Sequence, residues 1–179
     1  MNLINRPRRL RTTPTLRSMM RETRMSPSSL IYPLFAIEGE NIKKEIPSLP
    51  GQYHWSPDRI CEAIAECIEA GVEKVILFGL PAHKDEIGSG AWAEDGIVQQ
   101  AIRAIKAKDP DFYVITDVCM CEYTSHGHCG ILCDHYVDND KTLECLANIA
   151  LSHAQAGADI LITYYAKELA QAMKKGDIG

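Results

Sequence analysis

The chain has 179 residues, 46% hydrophobic and 24% charged, with a formal net charge of −5 and seven cysteines. That composition supports one sizeable core in one domain. No apolar run approaches the roughly 18 residues of a membrane span, which excludes a helical membrane protein. An odd cysteine count without a secretory signal leads us to expect a reducing, cytoplasmic setting and no disulfide framework.

The charge is unevenly spread. Residues 1–25 hold seven arginines and one glutamate, net +6, and the rest holds 12 basic and 23 acidic residues, net −11. The start, Arg6-Pro-Arg8-Arg9-Leu-Arg11, has three readings beside a plain solvated tail. A nucleic-acid tail would want interleaved aromatics, and this one leads into an acidic body. An Arg-rich, acid-poor transit peptide is the second reading. The expectation is the third: residues 1–28 form an arm that lies on a complementary acidic surface, that of a second subunit.

Leu30 to Ile37 reads as a buried strand, with Pro33 a mark against a central position. A loop with Pro47, Pro50 and Gly51 follows. Ser56-Pro57-Asp58 reads as an N-cap with proline at the first helical position. The helix carries Ile60, Ala63, Ile64, Cys67 and Ile68 at 3-and-4 spacing and stops at Gly71. Lys74 to Pro81 is an apolar run of strand length. A loop rich in glycine and charge, His83 to Gly96, precedes a helix with Ile97, Ala101, Ile102 and Ile105. The run from Tyr113 to Val118 is a third strand. Asp140 is a candidate N-cap for a helix with Leu143, Leu146, Ala147, Ala150, Leu151 and Ala154, ended by Gly157. Asp159 to Tyr165 is a last strand and Ala166 to Lys175 a closing helix. Apolar strands alternating with amphipathic helices predict an α/β fold of parallel strands covered by helices. Glu69-Ala-Gly-Val-Glu-Lys-Val-Ile-Leu77 is echoed by Gln155-Ala-Gly-Ala-Asp-Ile-Leu-Ile162, which supports stacked βα units.

The chemistry concentrates after the third strand, in Asp117-Val-Cys119-Met-Cys121-Glu-Tyr-Thr-Ser-His-Gly-His128-Cys129-Gly130. Strand alternation would put Asp117, Cys119 and Cys121 on one face, and the following loop can fold Cys129 back onto them. Three thiolates around one point suit a soft metal, zinc above all, and three ligands leave a position open for chemistry. Cys133 is a conceivable fourth ligand. Cys61, Cys67 and Cys145 sit in helical patterns and read as small core residues. In parallel α/β folds active sites lie at the carboxyl ends of strands, where this motif falls.

These residues resemble porphobilinogen synthase, also called 5-aminolevulinate dehydratase, in its zinc-type form. The likeness runs through Arg6-Pro-Arg-Arg-Leu-Arg11, Leu30-Ile-Tyr-Pro-Leu-Phe35, Leu77-Phe-Gly-Leu-Pro81, the cysteine motif and Val137-Asp-Asn-Asp140. The resemblance implies a TIM (β/α)8 barrel that condenses two 5-aminolevulinate molecules into porphobilinogen for haem and other tetrapyrroles. It implies Zn2+ on Cys119, Cys121 and Cys129, with a second Mg2+ in some members. Asp117 and His128 would assist proton transfer, Tyr164 would contact a substrate carboxylate, and the subunits would form a homo-oligomer, an octamer in the family.

One departure stands out. The family's Schiff-base lysines occur in contexts like Ser-Ala-Lys-Phe and Val-Lys-Pro-Ala, and neither is present. Up to Asp159-Ile160 the chain looks like the family through the start of its fourth strand. From Ile160-Leu-Ile-Thr-Tyr-Tyr165 it resembles the eighth. We therefore expect a join near residues 156–160 that omits strands five to seven. Residues 29–179 would then make about four βα units, too few to close a barrel of roughly 250 residues. The fused strand is expected beside the third strand, by a right-handed crossover, rather than beside the first. On this reading the chain alone is inactive. The alternatives are a non-catalytic zinc-binding protein that joins an oligomer, or an incomplete gene model.

Overall fold

The structure, a computed structural model, describes residues 8–175. Arg6 and the first residues of the expected arm lie outside them. In chain order the elements are α1 (Pro14–Met19), β1 (Tyr32–Ile37), β2 (Lys43–Ile46), β3 (Leu49–Trp55), α2 (Ile60–Glu69), β4 (Lys74–Leu80) and α3 (Ile97–Lys108). They continue with β5 (Tyr113–Asp117), β6 (Ile131–Cys133), β7 (Tyr136–Asp138), α4 (Asn139–Ala156), β8 (Ile160–Ile162) and α5 (Ala166–Lys175). Six strands form one sheet in the order β2-β3-β1-β4-β5-β8. All neighbours are parallel except β2, which runs antiparallel to β3. The sheet is open, and β2 and β8 are its edges. β8 lies beside β5, the third of the expected strands, as a right-handed crossover requires.

Register assigns the faces. Paired residues of parallel strands share a face, and Leu34, Leu77 and Val75, Val114 fall on the side under α2, α3 and α4, where they are buried to within 1%. Ile60, Ile64, Ile102, Ile105, Leu146 and Ile149 close that layer from the helices. The other face carries Phe35, Ile76, Phe78, Ile115, Ile160 and Ile162, and of these Ile115 alone, flanked by β4 and β8, is buried. Phe35 and Phe78 stack there with ring centroids 5.5 Å apart. One side of the sheet is a dry core. The other has no opposite wall among the described residues.

Four local expectations need correction. Pro33 sits in an interior strand: β1 pairs with β4 along its length but with β3 only at Phe35 and Ala36, so nothing on the β3 side asks Pro33 for an N–H. Ser56 does not cap α2 with its side chain; its hydroxyl accepts from Ile42 N (2.8 Å), and Asp58 accepts from Asn41 N (2.9 Å). α4 is capped by Asp138, which accepts from Lys141 N at 3.2 Å, and not by Asp140. The segment read as a loop around Pro47 and Pro50 is the β2–β3 hairpin. The helix stops fare as expected. Gly71 and Gly157 both adopt positive φ, 76° and 108°, which a residue with a Cβ takes only with strain. Cys67 is core, and Cys61 and Cys145 pack against it.

Candidate metal centre

β5 delivers the site. The strand ends at Asp117, so Cys119 and Cys121 do not alternate along it as the strand reading held. The chain instead makes a tight turn in which Tyr123 N and Thr124 N both donate to Met120 O at 2.9 Å. Met120 is fully buried and roots the turn. Thr124 Oγ1 donates to His128 O (2.8 Å), which folds the loop back and returns Cys129. The β4–α3 loop braces it from the side: Asp85 N donates to Tyr123 O (3.3 Å) and Ser125 N to Asp85 O (2.8 Å).

The outcome is a sulfur cluster. Cys119 Sγ lies 3.3 Å from Cys121 Sγ and 2.9 Å from Cys129 Sγ. Met120 N donates to Cys129 Sγ at 3.4 Å. Glu122, which sequence reading passed over, brings a carboxylate oxygen 3.2 Å from Cys121 Sγ. Among the described residues, Cys119, Cys121 and Glu122 have donor atoms within 4.8 Å of one another. Its signal was present, an acid directly after a motif cysteine, but the thiols dominated the pattern.

The electrostatics follow from proximity and burial. Cys129 accepts a hydrogen bond from Cys119, which lowers its thiol to about 6. The same bond, then burial, pushes Cys119 up. Burial also raises Cys121. Asp117 is raised by burial first and by the Glu122 charge second, so its carboxyl holds a proton more readily than an exposed aspartate.

This donor set fits a soft divalent cation. Three sulfurs around a tetrahedral zinc with Zn–S near 2.3 Å stand roughly 3.8 Å apart. The 119–121 and 119–129 separations of 3.3 and 2.9 Å fall short of that spacing, while Cys121 and Cys129 lie farther apart than 4.8 Å, so a zinc centre needs Cys119 to move outward and the two flanking sulfurs to close in.

Other sequence candidates lie elsewhere. Cys133, on the β6–β7 hairpin, contacts Lys141 Nζ (3.2 Å) and Asp138 Oδ2 (3.6 Å) and no cluster sulfur. His128 is exposed, and its ring stacks on His126 at 5.6 Å. Tyr164 follows β8 at the same end of the sheet, 95% exposed, with its ring edge-on to Tyr165. Asp117, two residues before Cys119, is the non-cysteine candidate whose charge reaches the thiols, acting on Cys129.

An open parallel α/β sheet with a thiol cluster at its carboxyl rim is part of a (β/α)-barrel architecture, and known proteins say which. The delta-aminolevulinic acid dehydratase family model matches residues 4–165. The chain is 62% identical over 159 residues to the Ruminiclostridium josui delta-aminolevulinic acid dehydratase, covering 89% of this chain and 78% of that one. It is 48% identical over 157 residues to the Bacillus subtilis (strain 168) protein, covering 88% of this chain but 48% of that one. The crystal structure of the Toxoplasma gondii ME49 enzyme in complex with the reaction product porphobilinogen superposes with a TM-score of 0.91 at 29% identity. That match covers 98% of this chain and 52% of the other. The chain belongs to the delta-aminolevulinic acid dehydratase family. Among the described residues no helix is long and apolar enough to cross a membrane.

Proposed function

We propose that this chain keeps the zinc-binding part of a porphobilinogen synthase site and lacks the part that would let it condense two 5-aminolevulinate molecules by itself. The observation that carries the reading is Cys119 Sγ standing between two other thiols at the carboxyl rim, 3.3 Å from Cys121 Sγ and 2.9 Å from Cys129 Sγ. These three are the ligands. When bound, zinc supplies Lewis acidity toward a substrate oxygen. Asp117, its carboxyl raised by burial, is suited to hold and pass a proton beside them. His128 and Tyr164 belong to the same rim, and both are solvent-exposed.

Among the described side chains, the missing chemistry is an amine. Schiff-base formation needs a lysine reaching into the site from the open face. Lys74 is on that face by register but at the opposite, amino end of β4, where its Nζ meets Ser28 O. Lys106 pairs with Asp159, Lys141 with Asp138, and Lys43 with Glu66. Lys44, Lys84, Lys108 and Lys167 are exposed. The match spans 48% of the Bacillus subtilis relative, so about half of that protein's length lies outside it.

Residues 1–28 are proposed as a basic arm for a second subunit, cytoplasmic and homo-oligomeric. A second reading, a non-catalytic zinc protein that binds oligomer partners, is favoured by the unwalled face with Ile160 and Ile162 41% and 45% exposed. An incomplete gene model is tested by sequencing the locus and its transcript. The functional test is a coupled colorimetric assay for porphobilinogen on the purified chain. Turnover below a hundredth of that of a full-length relative is expected, and comparable turnover overturns the reading.

A further inference from the structure

The β4 strand contains one residue with no side chain, Gly79, on its helix-covered side. A Cβ placed there would overlap the Tyr123 hydroxyl and stand 2.7 Å from Val98 Cγ2 and 3.0 Å from Ile97 Cγ2. The missing side chain is therefore a notch, and the Tyr123 ring fills it. Tyr123 is 5% exposed. Its hydroxyl is buried with no hydrogen-bond partner among the described residues. A buried, unpaired hydroxyl is unfavourable, so shape and apolar contact hold the ring in place, not hydrogen bonding. The fit is tight from above too: a Cβ at Gly88 would meet Tyr123 Cβ and Thr124 Cγ2, each at 3.3 Å.

The ring's place in the chain gives it a lever. Tyr123 N and O are both bonded within the cysteine turn and its brace, to Met120 O and from Asp85 N. Cys121 is two residues before it, and Thr124, next to it, ties back the loop that carries Cys129. We propose that Tyr123, seated in the Gly79 notch, is the positioning residue that sets the separation of the three sulfurs. It touches none of them. It pins the turn at one depth against β4, and the thiols converge because the turn cannot ride up. The inference rests on the metal reading for its consequence, and on geometry alone for its mechanism.

The test uses the full chain and Co2+, whose thiolate charge-transfer bands report sulfur ligation. Tyr123→Ala empties the notch and Gly79→Ala blocks it; each should weaken Co2+ binding at least tenfold and reduce those bands. Tyr123→Phe, which keeps the ring, should bind within twofold of the parent, and Gly79→Ala with Tyr123→Phe should recover part of the Gly79→Ala loss. Ile105→Val, a core trim away from the turn, serves as a control of lowered stability and should leave the bands unchanged. Independently of metal, dibromobimane bridges thiols a few ångströms apart, so bridging of Cys119 to Cys129 should slow at least tenfold in Tyr123→Ala. Parent-like Co2+ binding and bridging in Tyr123→Ala overturn the positioning role. Failure of the parent chain to bind Co2+ overturns the metal reading instead, and the bridging rates then decide the inference alone.

Discussion

β4 and β8 begin alike and end differently. Each follows a helix closed by a left-handed glycine, Gly71 or Gly157, and each opens with a short apolar run. β4 runs seven residues between β1 and β5, with Val75 and Leu77 fully buried. β8 runs three residues with a neighbour on one side only; Leu161, which shares the helix-covered face with Leu77, is only half-buried, and Ile160 and Ile162 on the open face stay 41% and 45% exposed where Ile76 and Phe78 of β4 are half-buried. The same local signals start both strands. What decides their length and burial is a second neighbour, and β8 has none. That contrast matches a strand packed beside β5 without the strands a closed barrel would set against its free edge.

Core truncation should break the symmetry of the two strands most strongly. Leu77→Ala should cost about 2–5 kcal/mol by urea unfolding, while Leu161→Ala, on the same face of the sheet, should cost about 1–2 kcal/mol. Equal losses would mean that β8 is as well packed as β4.

Acid should act next, at the helix that delivers β8. His153 on α4 is 1% exposed, its Nδ1 is 3.1 Å from Thr116 Oγ1, and burial lowers it to about 4. Above pH 6.5 the ring is neutral whether the chain is folded or not, and its contribution is fully present. As pH falls from about 6.5 to 4 the unfolded chain takes up a proton that the folded chain refuses, so stability drops, by about 3 kcal/mol for a shift of this size. His153→Gln should flatten the pH dependence of the urea midpoint across that window; an unchanged slope would place the lost stability elsewhere.

The stitch between β5 and β8 should rank third. Asp159 Oδ2 accepts from Val114 N and pairs with Lys106 Nζ, both at 2.7 Å. Asp159→Ala should cost about 1–3 kcal/mol and raise amide exchange in β8 while sparing β4. Gly157→Ala should be the mildest, at about 1 kcal/mol from the positive φ alone.

Much of this was legible in the sequence, and the limits are physical. α2, α3, α4, β1, β4 and β5 follow from spacing because each has one face pressed into a shared core. The two hairpins were not. β2–β3 lies at the sheet edge with a bulge between Glu45 and Ile46, so its burial does not alternate cleanly. β6–β7 turns at Asp134-His135, both with positive φ, without the Asn-Gly pair that advertises such a turn. At the site, residue types found the cluster while the strand argument for it was mistaken. The cysteines meet through a turn, anchored by Met120, Tyr123 and Thr124, whose side chains look like ordinary core until Gly79 and His128 are seen beneath and behind them.

The most direct test is zinc X-ray absorption on the purified, zinc-loaded chain. Three sulfur neighbours at about 2.3 Å, falling to two in Cys119→Ala, are what the arrangement at residues 119, 121 and 129 requires. Zinc bound by nitrogen and oxygen alone, or a spectrum unaltered by that substitution, would contradict it.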